Sequence, residues 1–122
     1  MNSSPLISII IPTLQEEKLI RRTLGQFSEA LKLRHRLEVI VSDGGSTDQT
    51  LSLARGTADT LVENIDGIRQ NISIGRNRGA DAARGEILMF FNADVRIADP
   101  ELFFSRMIAL IRDEKISAAT CN

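Results

Sequence analysis

Leu6-Ile7-Ser8-Ile9-Ile10-Ile11-Pro12-Thr13-Leu14-Gln15-Glu16-Glu17 is the stretch on which the fold of this chain turns. Its first half is a short apolar run, rich in β-branched residues and stopped by a proline, which fits a strand buried on both faces. Its second half is polar, and from Glu16 onward Leu19, Ile20, Leu24, Phe27 and Leu31 recur at helical spacing while Arg21, Arg22 and Glu29 are left for water. The spacing predicts a single amphipathic helix from Glu16 to Leu31. Strand, polar turn and helix in that order are the first step of a β-α-β unit.

The step then repeats. Leu37 to Val41 is a second apolar run that opens into Ser42-Asp43-Gly44-Gly45-Ser46-Thr47-Asp48, which reads as a loop and a helix start. A short helix over Gln49 to Ala54, a strand at Thr60 to Glu63, an exposed loop from Asn64 to Asn71 and a helix from Ile72 to Ala83 follow. Gly85 sits where a C-cap glycine belongs. Ile87 to Phe91 is the most hydrophobic strand candidate. Asp99-Pro100-Glu101 then supplies an N-cap, a first-position proline and an acidic first turn to a helix reaching about Asp113, and Ile116 to Thr120 begins another strand. Such alternation specifies an α/β fold, a mostly parallel sheet with helices on both faces. No linker or repeat interrupts it, so residues 1–122 read as a single domain.

Composition narrows the function classes. With 43% apolar and 25% charged residues the chain is ordinary for a globular domain. Lys+Arg 15 against Asp+Glu 16 leave a net charge of -1, so there is no basic footprint and nucleic acid is not an expected partner. One cysteine, Cys121, and one histidine, His35, exclude an internal disulfide and leave few parts for a zinc site or a histidine-based triad. No apolar run approaches the roughly 20 residues that span a bilayer. Met1-Asn2-Ser3-Ser4 has no secretory character, and a cytoplasmic location is expected.

In an open parallel sheet, ligands bind beyond the carboxyl ends of the strands. Pro12 to Glu17, Ser42 to Asp48 and Asn92-Ala93-Asp94 would all converge on that rim. Asp94 directly follows a very apolar strand, where an unpaired charge is costly unless it meets a cation. A hard divalent ion held by one or two carboxylates plus substrate phosphates is the usual solution, with Asn92 placed to bond a sugar hydroxyl. Asp43 beside Gly44-Gly45 suits a nucleotide base, and Arg76, on a helix near the rim, suits a pyrophosphate. Arg78 reads as part of a solvated helix face. A dinucleotide-binding fingerprint is excluded, because Pro12-Thr13-Leu14-Gln15 has no glycine.

These clusters, in this order, resemble the family 2 glycosyltransferases with a GT-A fold. The family's opening strand and P-T-Y-N-E-E pattern is similar to Ile9 through Glu17, and its V-V-D-D-G-S-T-D-G-T pattern to Val41 through Thr50. Its A-R-N-x-G helix looks like Gly75-Arg76-Asn77-Arg78-Gly79, and its D-A-D motif falls on Asn92-Ala93-Asp94. The resemblance implies that Pro12, Thr13 and Glu16 line a nucleotide-sugar pocket, Asp43 contacts the base and Arg76 meets the base or diphosphate. It puts Asn92 at the ribose and a Mg²⁺ or Mn²⁺ ion on Asp94. Leu14, Gln15, Gly44 and Asn92 stand where the family has tyrosine, asparagine, aspartate and aspartate.

The family's catalytic base lies in a second half of the fold that residues 1–122 do not match, so no catalytic residue is assigned. Two readings follow: the nucleotide-sugar-binding part of a glycosyltransferase, incomplete in this chain, or a non-catalytic nucleotide-binding or assembly module. Either would leave a strand edge unpartnered, which predicts a homo-oligomer with Ile116 to Cys121 near the contact.

Overall fold

The structure, a computed structural model, describes residues 5–64, 71–114 and the backbone of 118–121. Its elements are β1 (Ile7–Thr13), α1 (Ile20–Gly25), α2 (Glu29–His35), β2 (Leu37–Asp43), α3 (Thr50–Arg55), β3 (Thr60–Val62), α4 (Ile72–Ala82), β4 (Ile87–Phe91), α5 (Pro100–Glu114) and β5 (Ala118–Cys121). The strands form one sheet in the order β3-β2-β1-β4-β5, and every pairing is parallel. Strand order reverses between β1 and β4, so the crevice at their carboxyl ends is the topological switch point.

Both central strands run two residues further than the apolar pattern implies. Pro12 pairs with Ser42 and Thr13 with Asp43, so these residues belong to the ladder and not to loops. Proline is tolerated inside β1 because the pairing of β1 with β4 ends at Ile10 with Phe90. On the other side the Thr13 carbonyl accepts from Gly44 N at 2.9 Å.

Side chains alternate across the sheet. One face carries Ile7, Ile9, Ile11, Val39, Val41, Ile87, Met89 and Phe91, all buried, and packs with Leu24, Phe27, Leu31, Ala54 and Phe104 from the helices into the main core. The other face carries Ser8, Ile10, Ile40, Ser42, Leu88 and Phe90 and packs against α4. Gly79 brings that helix close: a Cβ there would lie 2.4 Å from Ile10 Cγ2.

Two local expectations need correction. The single helix from Glu16 to Leu31 is two helices: after Gly25 the backbone tightens, with Gln26 N and Phe27 N bonding the carbonyls of Thr23 and Leu24 three residues back, and the extended Ser28 starts α2 afresh by accepting from Leu31 N at 3.1 Å. Gly85 is not a left-handed C-cap; α4 ends at Ala82 and Ala83 is extended. Gly85 is required for close approach instead, since a Cβ would sit 2.6 Å from Ser8 Oγ. The Asp99 cap is borne out, with Oδ1 accepting from Leu102 N at 3.1 Å. The expected loop residues 65–70 and the start of the last strand at Ile116 lie outside the described residues, as do the side chains of the proposed oligomer contact.

Candidate functional site

The loops after β1 and β2 are laced together by bonds that neither could make alone. Gln15 N donates to Ser46 Oγ (2.9 Å) and Glu16 N to Thr50 Oγ1 (2.8 Å), while Thr47 N donates to Gln15 Oε1 (2.6 Å) and Gln49 N to Glu17 Oε1 (2.9 Å). This lacing holds Gln15 at φ 55, a left-handed backbone that a non-glycine residue adopts only when its surroundings over-determine it.

Asp43 is the knot. It is 1% exposed, and its Oδ1 accepts from Thr13 Oγ1 (2.7 Å) and Ser46 Oγ (2.6 Å) while its Oδ2 accepts from Gly45 N (2.9 Å) and Ser46 N (2.7 Å). A carboxylate has about four lone-pair sites, and all are used, one by Thr13 at the end of β1 and three by the loop after β2. The expected contact between Asp43 and a base therefore has no free acceptor in this arrangement, and the residue serves to shape the rim.

Two neighbouring cavities open on the rim. One, of about 250 Å³, lies between Pro12, Thr13, Leu14 and Glu16 on one side and Ser42, Gly44, Asn71, Ile72 and Gly75 on the other. The second, of about 380 Å³, is bounded by Pro12, Glu16, Leu19, Ile72, Asn92, Ala93 and Asp94. Pro12, Glu16 and Ile72 border both. Of the residues singled out from the sequence, Pro12 and Glu16 thus border both cavities, Thr13 the first, and Asn92 and Asp94 the second.

Arg76 is not among the lining residues of either cavity. Its guanidinium carbon stands 5.9 Å from the centroid of the Phe90 ring, and its Nε is buried without a hydrogen-bond partner among the described residues.

Asp94 is exposed, whereas Ala93 and Val95 on either side are buried. This alternation turns the carboxylate outward. Thr23 and Gln26 hold the loop in place: Thr23 Oγ1 donates to Ala93 O, Gln26 Nε2 to Val95 O (2.9 Å), and Gln26 Oε1 accepts from Ile97 N (2.6 Å). Both read in the sequence as ordinary helix positions, and only their partners some 70 residues away identify them as positioning residues.

The rim is acidic. Burial pushes the Glu16 carboxyl above the usual range, and the charges of Asp94 and Asp48 add to the effect. Asp48 is held below the usual range, chiefly by the Thr50 hydroxyl. Among the described residues no group of three His, Cys, Asp or Glu side chains could hold a metal unaided.

A five-stranded parallel sheet with laced loops and paired cavities at its switch point defines a Rossmann-like domain, and its superposition on solved glycosyltransferases makes it one of the GT-A type. Residues 8–122 match the family model described as "Glycosyl transferase family 2", and the chain belongs to that family. It is 33% identical over 108 residues to the validoxylamine A glucosyltransferase of Streptomyces hygroscopicus subsp. limoneus, covering 86% of this chain and 24% of that protein. To the PGL/p-HBAD biosynthesis glycosyltransferase of Mycobacterium bovis it is 32% identical over 126 residues, covering 94% of this chain and 45% of the relative.

The mannosyltransferase PcManGT from Pyrobaculum calidifontis, solved in complex with GDP-Man and Mn²⁺, superposes with a TM-score of 0.70 at 28% identity, over 88% of this chain and 32% of that one. The chain spans 24% to 45% of the length of these relatives. No helix among the described residues is long and apolar enough to cross a membrane.

Proposed function

We propose that this chain is the donor-binding part of a glycosyltransferase: it holds a nucleoside diphosphate sugar, with a divalent cation, for transfer of the sugar to an acceptor. The observation that carries the reading is the pair of adjoining cavities at the switch point, with Asp94 presented outward at one of them. An outward carboxylate with, among the described residues, only Glu16 beside it at the same cavity suits a hard cation that completes its shell with phosphate oxygens and water, Mg²⁺ or Mn²⁺, and suits poorly an ion needing an all-protein cage. Asp94 would hold it, and the bound ion would supply Lewis-acid stabilisation of the departing diphosphate.

The chain's own residues do the rest of the positioning. Pro12, Glu16 and Ile72 form the wall common to both compartments, Thr13 lines the first, and Asn92 offers an amide to the sugar end of the nucleotide. Thr23 and Gln26 keep the Asp94 loop from drifting, which matters because a misplacement of about 1 Å can cost about 100-fold in rate. The arrangement of Asp43, Ser46 and Gln15 fixes the floor under the ligand before it arrives.

The test is calorimetric titration of the chain with nucleoside diphosphates, with and without Mn²⁺. Asp94→Ala is expected to remove the metal-dependent part of the affinity and to leave the melting temperature in place. Equal affinity in the variant would overturn the assignment of Asp94.

A further inference from the structure

The closure of Asp43 on its own loop leaves open which group meets the base. In the cavity of about 250 Å³ the polar side chains are mostly engaged: Thr13 Oγ1 donates to Asp43, and Asn71 Oδ1 accepts from Ile74 N. Glu16 is shared with the Asp94 compartment. Ser42 differs from them. It is 1% exposed, it lines this cavity and not the other, and its Oγ has no hydrogen-bond partner among the described residues.

Such a hydroxyl is unfavourable unless something joins it, and buried polar groups left unsatisfied in native proteins call for an explanation. Residue 75, on the helix opposite and lining the same cavity, is glycine and lies close to this wall: a Cβ there would come within 3.3 Å of Pro12 Cβ and 4.0 Å of Ser42 Oγ.

The position of the cavity says which part of a ligand reaches Ser42. Asp94 borders only the second compartment, so a diphosphate held there directs the other end of the nucleotide past Pro12 and Glu16 into the first. We propose that the Ser42 hydroxyl, and not the Asp43 carboxylate, hydrogen-bonds the edge of the nucleotide base. This inference rests on the donor-binding reading and deepens it.

Exchanging a carboxylate for a hydroxyl changes selectivity, because a carboxylate only accepts whereas a hydroxyl donates and accepts. Uracil presents N3–H as a donor, and cytosine presents N3 as an acceptor on a ring of the same size. A single rotating hydroxyl satisfies either, so the site tolerates both.

The experiment titrates the whole chain, with Mg²⁺ present, using UDP, CDP and ribose 5-diphosphate, which lacks a base. In the unsubstituted protein UDP and CDP are expected to bind within about tenfold of each other and both more tightly than ribose 5-diphosphate. Ser42→Ala removes an orphan group and is expected to keep or raise the melting temperature. It is expected to weaken UDP and CDP about tenfold and to leave ribose 5-diphosphate unchanged. Gly75→Ala, which narrows the same cavity from the opposite wall, is expected to show the same base-dependent loss.

Unchanged UDP and CDP affinity in Ser42→Ala would overturn the proposal, as would an equal loss on ribose 5-diphosphate. A preference between UDP and CDP of more than about a hundredfold would overturn the donor-and-acceptor role. Failure of all three compounds to bind the unsubstituted protein would instead overturn the donor-binding reading itself.

Discussion

The two faces of the sheet are built from the same strands and do opposite work. On one, Phe27, Phe91, Phe103 and Phe104 form a continuous aromatic cluster, with Phe27 and Phe91 stacked at 6.1 Å and Phe103 and Phe104 edge-on at 5.0 Å. On the other, Phe90 is only half-buried and has Arg76 over its ring, while Ser8 and Glu38 bury a polar knot at the amino end of the strands. There Glu38 also accepts from Arg84 N at 2.7 Å, and Ser8 Oγ from Gly85 N at 2.8 Å. The first face holds the domain together by apolar burial. The second gives up part of that burial, so that a glycine-faced helix can lie close to the strands and leave a cavity at their carboxyl ends. Stability and site are thus separated across the thickness of one sheet.

The sharpest way to break this contrast is to truncate adjacent phenylalanines. Phe91→Ala is expected to cost about 3–5 kcal/mol, because it empties a fully buried position among packed rings. Phe90→Ala, one residue earlier on the half-covered face, is expected to cost roughly 1–2 kcal/mol. Urea unfolding of the two variants compares them directly, and equal losses would mean that α4 covers its face as fully as the aromatic cluster covers the other.

A second comparison sets one helix glycine against another. Gly79→Ala forces a Cβ to within 2.4 Å of Ile10 Cγ2, so α4 must lift; the expected cost is about 1–3 kcal/mol. Gly25→Ala in α1 meets nothing within 4 Å and is expected to be neutral or to stabilise by up to ~1 kcal/mol. Melting temperatures of the pair decide whether the close approach is needed. Gly79→Ala should also alter the nucleotide affinity, since α4 forms one wall of the cavity.

The smallest effect lies at the edge of the aromatic face, where α5 meets α2. Hydrogen bonds from Arg34 and His35 hold the Glu101 carboxyl below its ordinary value of 4.5. A carboxylate whose pKa is depressed on folding contributes stability that is present above its unfolded pKa and is lost as pH falls through the folded one. Stability should therefore decline as pH drops below about 4.5. In Glu101→Gln that part of the decline should be absent, so the two proteins converge in acid. Parallel pH titrations of unfolding would show it, and a constant difference at every pH would mean that Glu101 acts by packing alone.

Much of this architecture is legible in the sequence because strands and helices declare themselves over a few neighbouring residues. Ile7 to Ile11 and Ile87 to Phe91 read as buried strands, and Asp99-Pro100-Glu101 reads as a helix start, from local composition alone. Alternation of the elements then implies a parallel sheet, and a parallel sheet implies a ligand rim. The rim residues Pro12, Thr13, Glu16, Asn92 and Asp94 were accessible by that route.

What only the tertiary structure decided are the features whose partners are distant along the chain. The helix that the periodicity favours is broken at Ser28, whose backbone is extended, and Gln26 just before it sends its side chain to Val95 and Ile97 at the far end of the sequence. Asp43 looks free beside two glycines, yet Thr13 and Ser46 close over its carboxylate. Ser42 looks like one more loop serine, yet it pairs with Pro12 in the sheet and is buried at a cavity wall with its hydroxyl unpartnered among the described residues. Periodicity reports which face a side chain turns to, whereas hydrogen bonds depend on which atoms the folded chain brings within about 3 Å, and no local pattern carries that information.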